Sequence, residues 1–449
     1  MQFQLTTDFL LTVEQLISVK DGNKLRELLQ ELHFADIAEI LEELDSDEAT
    51  YLIKLLESDL TSEALMELDD DVREKILDRL SPTEIAEELS EMDTDDAADV
   101  VAELDEDVQK EVIKQIGDQE LAADIVDLLR YDEDTAGALM AKELVQVKET
   151  WTVAGCVREM RRQAENVTRV HSIYVTNKEG KLTGRLSLKD LLTAAEKTKI
   201  SEVFIPKVDY VTVHTENEEV ARIMQKYDLE AIPVVDEEGV LVGRITIDDI
   251  VDFIKDEAEK DYQMAAGISQ DVEADDSVWE LTRARLPWLV LGLFGGLGSV
   301  YIMQGFEEAL AQFPILFFFT PLIAAMAGNV GVQSSAIIVQ GLANDNVKGS
   351  LLHRLIKEVG LALINGLALG LLVILYSYAA GLEQLVGITI AVSMLSVIIV
   401  AALVGTFVPI ILDKRGIDPA IATGPFITTS NDIFGIFLFF YIAKVILGF

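Results

Sequence analysis

The sequence predicts a multi-domain chain: an all-α superhelical N-terminal domain, a pair of related α/β units, and an α-helical transmembrane domain of five spans. Three observations carry that prediction. Of 449 residues, 78 are acidic and 36 basic, a formal net charge of −42, yet only eight acids and six Lys/Arg follow residue 286. Apolar residues recur every twelve positions through the first third, and the stretch 173–192 is repeated at 232–251. An acidic half of net −40 is therefore joined to an apolar half of net −2, which no single soluble domain reconciles. The expected divisions are 1–130, 131–255, a connecting, plug-like helix over 256–285, and 286–449.

The twelve-residue repeat predicts the first part. Leu32, Leu44, Leu56, Leu68, Leu80, Met92, Leu104, Ile116 and Leu128 are each preceded three positions earlier by Leu29, Leu41, Ile53, Leu65, Leu77, Leu89, Val101, Ile113 and Ile125. An i, i+3 pair lies on one helical face. The residues that follow include Asp45, Asp69, Ser81, Asp93, Asp105 and Gly117, which are caps or breakers. Ser81-Pro82-Thr83-Glu84 adds a first-turn proline and a capping-box acid. Helices this short cannot bury their stripes alone, so successive hairpins stack into a superhelix with acidic outer faces.

The offset of 59 predicts the second part. It aligns Gly180 with Gly239, Gly184 with Gly243, Arg185 with Arg244 and Asp190 with Asp249, and each unit reads as strand, glycine turn, strand and helix. Helical stretches at 158–164 and 218–227 precede the two copies. This layout resembles a tandem pair of cystathionine-β-synthase-type (CBS) domains. Such domains often bind adenine nucleotides, and Ser187 with Asp190 and Thr246 with Asp249 are the hydroxyl and carboxylate pairs that the family uses at ribose and phosphate. The same pairs are capping boxes opening a helix. An acidic helical stretch over 251–268 then leads toward the membrane, as a transmission element or a linker.

Apolar spans at roughly 287–305, 314–342, 358–380, 385–412 and 419–447 are each long enough to cross a hydrocarbon core of about 30 Å. Arg283, Arg285, Lys348, Arg354, Lys357, Lys414 and Arg415 fall on one side of these spans, and Glu307, Glu308 and Glu383 on the other. The positive-inside rule puts the soluble half in the cytoplasm and, after five spans, the C-terminus outside. No cleavable signal peptide is read at the start. Asp432 lies midway along the fifth span, where an intramembrane carboxylate costs about 2.5–3.5 kcal/mol on insertion scales. No basic residue within a span can pair with it, so a passing cation or proton is its natural partner. In the second span Asn329 and Gln333 offer neutral oxygens, either as ligands or as helix-packing contacts.

Several classes of function are excluded. A surface this acidic repels phosphate, which argues against nucleic acid or anionic lipid headgroups as partners. Cys156 is the sole cysteine, so no intrachain disulfide forms. No glycine-rich phosphate loop, metal-ligand motif or nucleophile constellation marks an enzyme.

Over essentially its whole length the chain resembles the MgtE family of magnesium channels. The residues that carry the resemblance are MDTDDAADVVAEL (92–104), YDEDTAGALM (131–140), the CBS pair, PLIAAMAGNVGVQ (321–333) and DPAIATGPFITTSNDIFG (418–435). The resemblance implies a homodimer in the cell membrane, with a pore between the membrane domains lined by the second and fifth spans. That pore would be selective for Mg2+ and would close when cytoplasmic Mg2+ is high. Asp432 matches the family's pore carboxylate, with Asn329, Gln333, Gly424 and Thr428 as its lining and Asp418 near the cytoplasmic mouth. The family's acidic Mg2+-sensor positions fall on Asp95, Asp99, Asp134, Glu218, Asp228, Asp249, Asp252 and Glu257. The pattern departs at Lys260, where an acid is expected, and at Gly424, where relatives carry a polar pore contact.

The chemistry suits the ion. Mg2+ requires octahedral oxygen geometry and gives up water reluctantly, so a few carboxylates and carbonyls around a largely hydrated ion serve it better than a dry cage. Packing an acidic superhelix against the CBS pair brings like charges together, and bridging divalent ions would favour the compact state. Rival readings are a proton- or sodium-driven carrier of divalent cations such as Co2+, Ni2+ or Mn2+, and a membrane-anchored CBS sensor of nucleotide or ionic state.

Overall fold

A computed structural model describes residues 3–163, 167, 169–269, 272, 276–343, 350–422 and 424–448. Lys348, one of the charges used for orientation, lies outside the described residues. The chain divides into two compact units, 1–254 and 255–449.

The first unit begins with a helix, α1 (Thr7–Ser18), followed by a stack whose spacing follows the twelve-residue repeat. Its members are α2 (Gly22–Leu29), α3 (Phe34–Glu42), α4 (Ser46–Ile53), α5 (Ser58–Met66), α6 (Asp70–Leu77), α7 (Pro82–Leu89), α8 (Thr94–Glu103), α9 (Glu106–Gln115) and α10 (Gln119–Leu128). From α2 to α9 the starting residues step by exactly one repeat. Leu29, Leu41, Ile53, Leu65, Leu77, Leu89, Val101 and Ile125 are all buried, and Ile113 packs against them partly exposed. A fully buried Leu or Ile contributes about 2 kcal/mol, so the stripe supplies much of the cohesion of the stack. Contacts run between alternate helices, α3 on α5, α5 on α7 and α7 on α9, with α4 on α6 and α8 on α10, as a superhelix of short hairpins requires.

The caps are less uniform than the repeat implies. Asp45 accepts the backbone N–H groups of Asp47 and Glu48, both at 2.9 Å, and Ser81 forms the full capping box with Glu84. Asp69, Asp93 and Asp105 stand at N-cap positions without making a side-chain cap. Gly117 is followed by Asp118, which caps α10.

The CBS segment forms two sheets. The first runs β1 (Val145–Lys148), β2 (Ile173–Thr176), β3 (Leu182–Leu186) and β4 (Ile205–Pro206), with α11 (Val153–Gln163) and α12 (Leu188–Thr193). The second runs β5 (Val211–Thr212), β6 (Ala231–Val235) and β7 (Leu241–Thr246), with α13 (Asn217–Tyr227) and α14 (Ile247–Ala266). Each copy pairs its first two strands in parallel and the next two antiparallel. The aligned glycines Gly180 and Gly239 take left-handed φ values of 85° and 81°, which only glycine adopts without strain. They also join the copies: Leu182 N donates to Gly239 O and Leu241 N to Gly180 O, both at 3.1 Å.

The division between the two units falls inside α14. In the second unit, α15 (Val278–Gln304), α17 (Ile315–Ala343), α18 (Leu351–Ala379), α19 (Gln384–Asp413) and α20 (Gly424–Leu447) are long and apolar enough to cross a membrane, five such helices among the described residues. A short α16 (Glu307–Gln312) precedes α17, and a 3-10 turn (Pro419–Ala422) precedes α20. α19 is central, packing on α17, α18 and α20. Small residues allow the approach: a Cβ at Gly405 would lie 2.4 Å from Gly331 O, and one at Gly366 2.4 Å from the Leu395 side chain.

Candidate functional site

Two groups of residues emerge, one in each unit. In the membrane domain, α17 and α20 line a cavity of about 400 Å³. Ala324, Ala325 and Gly328 keep its wall thin, and Asn329, Gln333, Thr428 and Asp432 supply its polar groups. Asn329 and Gln333 fall one helical turn apart on α17, and Thr428 and Asp432 one turn apart on α20, so each pair shares a face. Thr428 Oγ1 donates to Gly424 O at 3.0 Å, which leaves its oxygen available to accept. A Cβ at Gly328 would lie 3.2 Å from Thr428 and 3.8 Å from Asp432 Oδ1, so glycine there keeps the carboxylate clear of α17.

The residues beside the cavity fix how α20 is turned. Asn431, next to Asp432 on α20, is 2% exposed and packs against α17. A Cβ on Gly331 would lie 1.8 Å from Asn431 Nδ2, so the amide occupies space that only a glycine on α17 provides. Sequence reasoning did not single out Asn431, although its place beside Asp432 was the available signal.

Two other expected pore residues lie elsewhere. Gly424 is not among the residues lining the cavity. It opens α20 with φ +46°, and a Cβ there would lie 2.2 Å from Ala265 O at the end of α14, which accounts for glycine on conformational and steric grounds. Asp418 caps the turn before α20, its Oδ1 accepting Ala420 N at 2.7 Å.

In the first unit the acids converge at the start of α8. Asp95 is buried, 8% exposed, and its Oδ1 has no hydrogen-bond partner among the described residues. Burial above all, then Asp96 and Asp249, holds its pKa well above the usual carboxylate range. Asp96 and Asp249 are raised for the same first reason, Asp249 against the opposing hydrogen bonds of Thr246. Asp99 is exposed, yet the protein mass around it, then Glu103, pushes its pKa up to about 7. Charged together, these groups repel, with Arg73 beside Asp99 and Arg244 beside Asp249 as the opposing charges.

Asp96, Asp93 and Glu143 were missed by sequence reasoning. Oxygens of Asp93, Asp95 and Glu143 all lie within 4.8 Å of one another. Glu143 is 48 residues from Asp95, outside any repeat, so only the fold could reveal it.

The remaining expected sensor acids do not join this group. Asp134, Glu218, Asp228 and Asp252 are exposed, with Asp228 ending α13 in a left-handed conformation. Glu257 pairs with Lys260 at 3.4 Å, one turn apart on α14, so the departure at Lys260 provides an ammonium where an acid was expected. In the two hydroxyl and carboxylate pairs, Ser187 Oγ donates to Asp190 Oδ2 and Thr246 Oγ1 to Asp249 Oδ2, both at 2.6 Å.

An acidic helical stack, a CBS pair and a five-helix bundle with a carboxylate lining a cavity define a class of ion-handling membrane protein. Family profiles agree: the divalent cation transporter domain MgtE matches residues 320–442, the MgtE intracellular N domain 32–134, and the CBS domain 136–197 and 200–256. The magnesium transporter MgtE of Enterococcus faecalis is 38% identical over 98% of both chains, that of Thermus thermophilus 35% identical over 97% of this chain and 98% of its own, and that of Bacillus subtilis 34% identical over 95% of both. The chain belongs to the MgtE family. Among solved structures, the cytosolic domain of the Mg2+ channel MgtE in complex with ATP matches with a TM-score of 0.52 and 36% identity, covering 54% of this chain and 99% of its own.

Proposed function

We propose that this chain is a Mg2+ channel of the cell membrane, working as a homodimer, with Asp432 as its ion-selecting group and the acids around α8 as a cytoplasmic Mg2+ sensor. The observation that carries the reading is the shared cavity of Asn329, Gln333, Thr428 and Asp432. One carboxylate with neutral oxygens around it suits an ion that keeps most of its water, attracting Mg2+ without holding it too firmly to leave. A second copy would supply a second Asp432. The basic residues flanking the spans support a cytoplasmic first unit and an outer C-terminus.

Closure at high Mg2+ follows from charge. Asp95, Asp96, Asp99 and Asp249 bring helices of the superhelical stack and the second CBS unit together in one repelling group, and divalent ions would stabilise that compact arrangement. Asp134, Glu218, Asp228, Asp252 and Glu257 would add weaker surface sites, and Asp418 a site near the pore mouth. The acidic helix α14 would carry the change toward α20.

ATP, the ligand of the similar cytosolic domain, fits the Ser187 and Asp190 pair better than Thr246 and Asp249. Asp249 stands among other acids that would repel a triphosphate. The nucleotide would hold the first CBS unit in one conformation; no chemistry on it is implied.

Liposomes carrying the purified full-length protein should take up Mg2+, and Asp432→Asn should abolish that uptake. Undiminished uptake by the variant would overturn the pore assignment.

A further inference from the structure

A second carboxylate of the bundle, Glu358, stands two turns into α18, just after Lys357, and reaches across to α17. Ser334 Oγ donates to Glu358 Oε1 at 2.6 Å, the length of a charge-assisted bond between a hydroxyl and a carboxylate. Ser334 is 6% exposed, so water has little access to its hydroxyl. An ionisable side chain on an apolar helix is costly, and its partner points to its use. Neither Ser334 nor Glu358 lines the cavity, but Ser334 directly follows Gln333, which does. Successive side chains on a helix point about 100° apart, so fixing the direction of one fixes that of the other.

The same turn of α17 is held by contacts of another kind. A Cβ at Gly405 of α19 would lie 2.4 Å from Gly331 O and 3.1 Å from Ser334 Cβ, and one at Gly331 would lie 2.8 Å from Ile427 Cγ2 of α20. These contacts set how closely α17 approaches its neighbours; a hydrogen bond adds direction. α18 is itself seated on α19, where Gly366 meets Leu395, so Glu358 gives α17 a fixed reference.

We infer that Glu358 is a positioning residue for ion passage: through Ser334 it fixes the rotation of α17 so that Gln333 presents its amide to the cavity that Asp432 also lines. The inference rests on the proposed pore and adds to it a residue outside the pore wall. A neutral amide oxygen serves a hydrated Mg2+ through the ion's water shell, so turning Gln333 aside costs ion preference as well as rate.

The test uses the full-length protein in liposomes. Glu358→Ala and Ser334→Ala should each lower Mg2+ uptake about tenfold, the effect of losing one charge-assisted hydrogen bond. Ser334→Ala removes a single atom, so the result does not depend on the larger change folding. Glu358→Gln, whose amide oxygen still accepts from Ser334, should stay within about threefold of the unaltered protein. Gln333→Ala should cost about as much as Glu358→Ala, and the two together no more than either, because a missing amide needs no positioning. All three alanine variants should shift the ratio of Co2+ to Mg2+ uptake in the same direction, which a merely loosened bundle would not do. Costs that multiply in the double variant, normal uptake by Glu358→Ala and Ser334→Ala, or a loss in Glu358→Gln as deep as in Glu358→Ala overturns the inference. The pore reading fails separately, if Asp432→Asn takes up Mg2+ undiminished.

Discussion

The membrane and soluble units deal with negative charge in opposite ways. The bundle places Asp432 in a cavity with neutral oxygens and small side chains around it. The soluble unit gathers Asp93, Asp95, Asp96, Asp99, Glu143 and Asp249 around one helix start, where their mutual repulsion and burial hold several of them above the usual carboxylate pKa. The difference teaches what each geometry can do. A single carboxylate binds an ion weakly enough to release it, which conduction needs. A crowd of acids would respond to ion concentration as the proposed sensor requires, because each ion bound would ease the repulsion felt by the rest.

Removing the charge from each place should therefore have unequal effects. Asp432→Asn is the largest, with Mg2+ uptake falling by about 100-fold or more while Mg2+ still protects the soluble unit from proteolysis. If protection disappears as well, the two places are not separate. Asp95→Asn should leave uptake at low Mg2+ intact and raise the Mg2+ concentration needed for half closure by about tenfold, an effect of about 1.4 kcal/mol. Patch recordings over a series of cytoplasmic Mg2+ concentrations measure that shift, and an unchanged midpoint would remove Asp95 from the sensor.

Packing beside the cavity provides a third comparison. Gly331→Ala drives a methyl into Asn431 and should destabilise the bundle by about 1–3 kcal/mol, the usual cost of overpacking. Thermal unfolding in micelles would show a lowered Tm, and the companion change Asn431→Ala should restore part of it.

The smallest effect belongs to an acid that needs no ion. Glu88 is buried, accepts hydrogen bonds from Thr61 at 2.6 Å and Ser58 at 3.2 Å, and has its pKa pushed up to about 7, mainly by burial. The folded state therefore holds this proton more tightly than the unfolded chain. Its contribution to stability is full below about pH 4 and is lost as pH rises through 7. Glu88→Gln should flatten that part of the stability profile by about 1–2 kcal/mol, as followed by circular dichroism during urea unfolding at pH 5 and pH 8. It should not alter the proposed Mg2+ dependence of gating, which separates an acid that hydrogen bonds satisfy from the acids proposed to bind Mg2+.

Periodic features were legible in the sequence. The twelve-residue repeat dictated where helices begin, because each short helix needs its buried pair in the same place, and the 59-residue offset anticipated the paired glycine turns. The five spans and the isolated Asp432 followed from length and hydropathy. What the sequence hid depends on long-range folding. Glu143 comes beside Asp93 and Asp95 only because Thr94 ties it there. Asp69, Asp93 and Asp105 read as caps from their positions, yet their side chains make no cap bond. Gly424 looked like a missing polar contact, whereas its left-handed φ and the carbonyl of Ala265 demand a glycine.

The meeting of Gly267 and Gly424 has a mechanical consequence. Both have positive φ; a Cβ on the first would strike Pro425, and one on the second the Ala265 carbonyl. Main chain rests on main chain at Gly424, and at Gly267 on the stiff ring of Pro425, so little between them can absorb a displacement. A tug on the end of α14 thus becomes a tug on the first turn of α20, two turns from Asp432. Adding so much as a methyl at either glycine would wedge the end of α14 away from the first turn of α20 and break that linkage.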